Sequence, residues 1–161
     1  MSAAHKNSSS ALPVVDAVDT RYLETLLGYN ARRAALTIIE VFLKRMAVYG
    51  LRPVDFSVLS VIGHNPGVTS RQLCATLGIL PPNFVAMLAN LEKRELVERQ
   101  PHPKDKRAVA LHLTVTGEKL MHEAERTAQT LEVDASARLS NAERKTLMRL
   151  LQKIYLPQAQ T

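Results

Sequence analysis

The sequence predicts a mainly α-helical chain that carries one small β-hairpin. Three observations lead there. Apolar residues recur at three- and four-residue steps through most of the 161 residues, the spacing that lines one helix face. The period drops to two only in "AVALHLT" (Ala108 to Thr114), beside the run "ELVERQPHPKDK". Capping signatures and glycines mark where helices begin and end.

The elements follow in order. Residues 1–18, rich in Ser and Ala with Pro13, read as a disordered tail. From Asp19 the residues Leu23, Leu26, Leu27, Ala31, Ala34, Ile38, Phe42, Met46 and Tyr49 line one face of a single long helix that Gly50 stops. Leu36, Ile39, Val41 and Leu43 widen its apolar stripe beyond one contact face, which implies a second surface, another subunit. Pro53 suits the first position of a short helix and Asp55 its first turn, where the helix dipole favours negative charge. "HNPG" (His64 to Gly67) is a turn, and "TSRQ" places Thr69 and Gln72 as a capping box. That helix turns Leu73, Cys74 and Leu77 inward and ends at Gly78. Pro81 and Pro82 open the next one, where their missing donors cost nothing, with Leu80 as cap. Phe84, Met87, Leu88 and Leu91 mark its inner side. Leu96 to Gln100 reads as a strand, "PHPKDK" as a loop, and Val109, Leu111 and Leu113 alternate with Ala110, His112 and Thr114 in the returning strand. One helix then starts near Thr114 or Thr116, with Leu120, Ala124, Ala128 and Leu131 inward. The last has its own capping box, "SNAE" from Ser140 to Glu143, and a stripe of Leu147, Leu150, Leu151 and Ile154.

Composition limits the function. A chain of this length with 46% apolar residues forms one domain with a real core. No apolar run approaches twenty residues and the first residues lack a signal-peptide pattern, so a cytoplasmic protein without a membrane partner is expected. The single cysteine excludes an internal disulfide. A formal net charge of +6 and a pI of about 9.7 favour an anionic partner where the charge is clustered. It is clustered: Lys93, Arg94, Arg99, Lys104, Lys106 and Arg107 stand against Glu95, Glu98 and Asp105.

A short helix, a turn, a capped helix, a longer helix and a basic hairpin are the plan of a winged helix-turn-helix, whose third helix enters the DNA major groove. "LEKRELVER" (Leu91 to Arg99), "DKRAV" (Asp105 to Val109) and "LTVTG" (Leu113 to Gly117) occur in order. With the helix-turn-helix before them, they resemble the MarR family of bacterial transcription regulators. In that family "LE(K/R)xGLVxR" is followed by a wing with "DxR" and by "LTxxG". The resemblance covers about Leu51 to Leu120. It implies a division into an N-terminal dimerisation helix (19–51), a winged helix-turn-helix lobe (52–115) and C-terminal dimerisation helices (116–157). Arg107 then corresponds to the wing arginine that enters the minor groove, oriented by Asp105, while Lys104 and Lys106 meet phosphates. Pro82, Asn83, Val85, Ala86, Ala89 and Asn90 correspond to groove-facing positions of the recognition helix, and Ser70, Arg71 and Lys93 are further expected DNA-binding residues. The chain departs from the family at Val85 and Ala86, where Ser and Arg are common, at Ala89, and at Glu95, where Gly is usual. Small apolar side chains can touch thymine methyl groups, and Asn90 can pair with adenine.

The resemblance implies a homodimeric, sequence-specific regulator on a pseudo-palindromic operator, a repressor released by a small aromatic or phenolic ligand. Arg32, Arg33, Tyr49, Phe56 and His64 border the elements where such a ligand would bind. No catalytic motif is present and no cofactor is expected. Alternatives stay open: the face of Val85, Ala86 and Ala89 could pack on protein and leave the helix buried all round, the winged helix could be a protein-interaction module, or the switch could be redox or metal. Cys74 falls on an inward face with no second cysteine to resolve a sulfenic acid, and reads as core filler. His64, His102, His112 and His122 lack the spacing of a helical ligand pair.

Overall fold

The computed structural model describes residues 18–104 and 108–156. They fall into two compact units, one reaching Ala34 and one from Ala35 onward. Helix α1 (Arg21–Glu24) and the start of α2 (Leu27–Met46) make up the first. The expected single long helix is therefore interrupted at Thr25 and Leu26. Local side chains bond across the break: Thr25 Oγ1 donates to the Tyr22 carbonyl (2.7 Å), and Asn30 Nδ2 donates to those of Glu24 (2.7 Å) and Leu26 (2.9 Å). The Tyr22 and Leu26 carbonyls also accept backbone N–H groups, from Thr25 (3.2 Å) and Asn30 (3.1 Å), so it is at the Glu24 carbonyl that a side chain stands in for a backbone donor. The apolar stripe is also less covered than expected. Leu23, Leu26, Leu27, Ala31, Ala34 and Ile38 are exposed, Phe42 and Tyr49 are half-buried, and only Met46 is fully buried. A 3₁₀ turn (Ala47–Tyr49) follows α2 and ends at Gly50, whose φ of 58° suits a residue without Cβ.

The second unit holds α3 (Pro53–His64), β1 (Val68–Thr69), α4 (Ser70–Leu77), α5 (Pro81–Lys93), β2 (Val97–Pro101), β3 (Val109–Leu113), α6 (Val115–Ala135) and α7 (Asn141–Tyr155). The capping boxes at Thr69 and Ser140 form as expected, Leu80 caps α5 with prolines at its first two positions, and Thr114 caps α6. Val58, Leu59, Ile62, Leu73, Phe84, Leu88, Leu91 and Leu111 are buried in one core, joined from α6 by Met121 and Leu131. Leu77, Leu120 and Ala128 are half-buried against it.

The hairpin has a third strand that the sequence did not suggest. The antiparallel sheet has the order β1-β3-β2, with Val68 opposite Leu111 and Thr69 opposite Ala110. Two residues are too few to show a period. Because β3 is the middle strand, Ala110 is as buried as Leu111, so the simple in-and-out alternation fails there. Strand β2 starts one residue later than expected, since the Leu96 N–H still bonds back to the Leu91 carbonyl (3.0 Å).

Candidate nucleic-acid interface

Helix α5 buries Phe84, Met87, Leu88 and Leu91 and exposes Pro82, Asn83, Val85, Ala86, Ala89, Asn90 and Lys93. The α5 residues expected from sequence to face the groove are therefore at the surface, with Val85 at 64% exposure, while Ser70 of α4 is half-buried. At 100° per residue the line opposite the buried side runs through Pro82, Ala86, Ala89 and Lys93. Val85 flanks it towards α4, where it shares an apolar groove of about 590 Å³ with Ser70, Arg71, Cys74 and Phe84. Asn83 and Asn90 flank it on the other side, around a groove of about 530 Å³ with Arg52, Asp55 and Arg94.

The wing is fastened to this helix. Arg99 on β2 donates from both Nε and Nη2 to the carboxylate of Glu92 on α5, the second bond at 3.0 Å. That hydrogen bonding raises the Arg99 guanidinium further above its ordinary value. Arg94, at the end of α5, donates to the carbonyls of Gly50 (3.0 Å) and Tyr49 (2.8 Å). Two of the cations counted in the basic cluster are thus occupied within the fold, which narrows the phosphate-binding set. Lys93, Lys104 and Arg71 are exposed. Asp105, Lys106 and Arg107 lie outside the described residues.

Asp55 is the one buried charged residue among those described, at 5% exposure. Burial pushes its carboxyl up, but hydrogen bonds from the Arg52 side chain and backbone, and the charges of Arg52 and Arg94, outweigh it and hold it below the ordinary aspartate range. Sequence reasoning placed Asp55 in a first turn and missed this pairing, which depends on Arg52 folding back over its own helix.

Of the ligand residues expected from sequence, Tyr49, Phe56 and His64 of the second unit make separate contacts. Tyr49 Oη meets Thr127 Oγ1 of α6 (2.9 Å), and Phe56 stacks edge-on against Phe42 at 5.6 Å. His64 meets Glu125 (3.0 Å) and lines a cavity of about 230 Å³ with His112, His122 and Glu118, without Tyr49 or Phe56. Arg32 and Arg33 are exposed on α2 within the first unit. Cys74 is half-buried against the core. Among the described residues no group of three or more His, Cys, Asp or Glu side chains is arranged to hold a metal ion, and no single helix is long and apolar enough to cross a membrane.

This arrangement has relatives. The MarR family model matches residues 49–108, the span from the end of the 3₁₀ turn into the wing. A transcriptional regulatory protein for the hcr operon of Thauera aromatica is 31% identical over 136 residues, 84% of this chain and 82% of that protein. The chain belongs to the MarR family. Among solved structures, the transcriptional repressor CouR bound to a 23-mer DNA duplex superposes with a TM-score of 0.81 at 38% identity, covering 86% of this chain and 99% of CouR. CouR bound to p-coumaroyl-CoA gives 0.77 at 36% identity over 87% and 99%. The winged helix-turn-helix expected from sequence is therefore the fold, and the chain is a MarR-type transcriptional regulator.

Proposed function

We propose that this MarR-family chain is a homodimeric DNA-binding repressor whose grip on its operator is released by a small aromatic or phenolic anion, free or as its CoA thioester. The observation that carries the reading is the solvent-facing side of α5, with the wing fastened to it through Glu92 and Arg99 and with Lys93, Lys104 and Arg71 exposed around it. A dimer would present two such helices about one helical turn, roughly 34 Å, apart and so fit a pseudo-palindrome. The expected wing contacts of Asp105, Lys106 and Arg107 belong to this proposal, as does the ligand role of Arg32, Arg33, Tyr49, Phe56 and His64. The effector class is supported by the CouR complex with p-coumaroyl-CoA. Such a ligand acts only through its different affinity for the DNA-bound and released arrangements.

The test is selection of bound fragments from the source genome, followed by anisotropy titrations with and without p-coumarate and p-coumaroyl-CoA. An enriched palindrome whose affinity drops with either compound supports the reading. Binding without sequence preference that vanishes at physiological salt would overturn it in favour of a protein partner.

A further inference from the structure

We infer that α5 reads an A·T half-site by its thymine methyl groups. Ala86, Ala89 and Val85 meet the 5-methyls, and the carboxamides of Asn83 and Asn90 take adenine edges. The inference rests on the DNA-binding reading above and adds which bases are read and by which atoms.

The first argument is what the exposed face contains. Between Pro81 and Leu91 helix α5 carries no charged side chain and no hydroxyl. Guanine is most often read by the paired donors of Arg or Lys, and cytosine by a carboxylate that accepts from its amino group. Neither reader stands on the first ten residues of this helix, the part that a recognition helix brings to base edges.

The second argument is that, among the described residues, the neighbouring cations do not supply the missing reader. Arg94 is bound to the carbonyls of Tyr49 and Gly50, and Arg99 to Glu92. Lys93 is the last residue of α5. Arg71, near the start of α4, sits on the helix that crosses the backbone in this motif, where it meets phosphate.

The third argument is shape. Pro82, Ala86 and Ala89 make the outermost line of α5 until Lys93, so the helix can approach the groove floor without a long side chain holding it off. At that approach an alanine methyl lies against a thymine 5-methyl, a contact that only A·T pairs offer. Asn83 and Asn90 lie on one flank, seven residues and so about 10 Å apart along the axis, and they address base pairs about three steps apart.

The experiment uses the full-length protein and the best duplex selected from a random library. Each thymine of the half-site is replaced in turn by deoxyuridine, which removes one methyl and leaves the pairing intact. Two or more positions should each weaken binding about fourfold, the worth of burying a methyl group. Val85→Ala should weaken the parent duplex and abolish the penalty at one of those positions, so the two changes should not add. Asn90→Ala should cost about tenfold and flatten the preference for adenine at one position. Both residues are exposed, and unchanged circular dichroism and urea midpoints would show that the variants fold.

A selected half-site held together by G·C pairs, or a silent deoxyuridine series on a tightly bound duplex, overturns the inference and leaves the repressor reading standing. A library that yields no preferred sequence overturns both.

Discussion

At the scale of single residues, two positions show how the turn after α5 and the start of α6 are held. Glu95 stands at the glycine of the "LE(K/R)xGLVxR" pattern that the sequence resembles, and its φ is 57°, so the left-handed turn is kept although the residue disfavours it. Glu95→Gly should therefore raise stability by about 1 kcal/mol, seen as a higher urea midpoint at unchanged m; no gain would mean that the glutamate side chain compensates locally. Gly117 is needed for a different reason. A Cβ there would stand 2.1 Å from the Leu96 carbonyl oxygen, because Thr114 caps α6 while its own N–H bonds that same carbonyl (3.1 Å). Backbone cannot yield as a flexible side chain does. Gly117→Ala should lower stability by about 2–3 kcal/mol, and a calorimetric Tm within a degree of the parent would contradict the close approach. Both sites were visible in the sequence as motif positions, "LEKRE" and "LTVTG". What was not visible was the carbonyl that makes the second one a glycine.

At the scale of elements, the ends of α2, α3 and α5 are joined by polar contacts in addition to the core that Met46, Leu51 and Leu91 share. Arg94 ties the end of α5 to the carbonyls of Tyr49 and Gly50, and its charge also acts on Asp55 at the start of α3. Asp55 has a depressed folded pKa, so the stability it contributes is present above the unfolded aspartate value near about 4 and is lost as pH falls through the folded value. Because Arg52 is largely exposed, screening limits that loss to about 1 kcal/mol. Urea titrations from pH 6 down to 3 should show the decline in the parent and less of it in Asp55→Asn; identical slopes would show that other carboxylates set the acid limit. Caps, proline positions and the buried side of α5 were legible beforehand because each depends on residues a few places apart. The strand Val68–Thr69, the occupied guanidinium groups of Arg94 and Arg99, and the break at Thr25 were not. The first two are settled by partners distant along the chain or in another element, and at the break Asn30 reaches back to carbonyls in a way that a periodic apolar pattern conceals.

At the scale of the whole molecule, helix α7 buries none of its residues within its own chain, and Leu147, Leu150, Leu151 and Ile154 lie exposed along it. Leu36, Ile39 and Leu43 of α2 are exposed as well. Apolar stripes of this length on a monomer need a partner surface, and the proposed dimer would supply one. The stripe and the salt response of DNA binding are then linked. Arg71, Lys93 and Lys104 from two subunits alone give a slope of log affinity against log salt of about −5, at about −0.9 per phosphate neutralised. A monomer engages one half-site and half the phosphates. Replacing Leu150 and Ile154 together by glutamate puts charge into the stripe without touching the core of the DNA-binding lobe, since neither residue is buried. The double variant should run as a monomer by light scattering, keep its circular dichroism, and bind the operator far more weakly with about half the parent's salt slope. A monomer with the parent's full slope would mean that one subunit already makes every phosphate contact, and the two-helix geometry proposed for the operator would have to be abandoned.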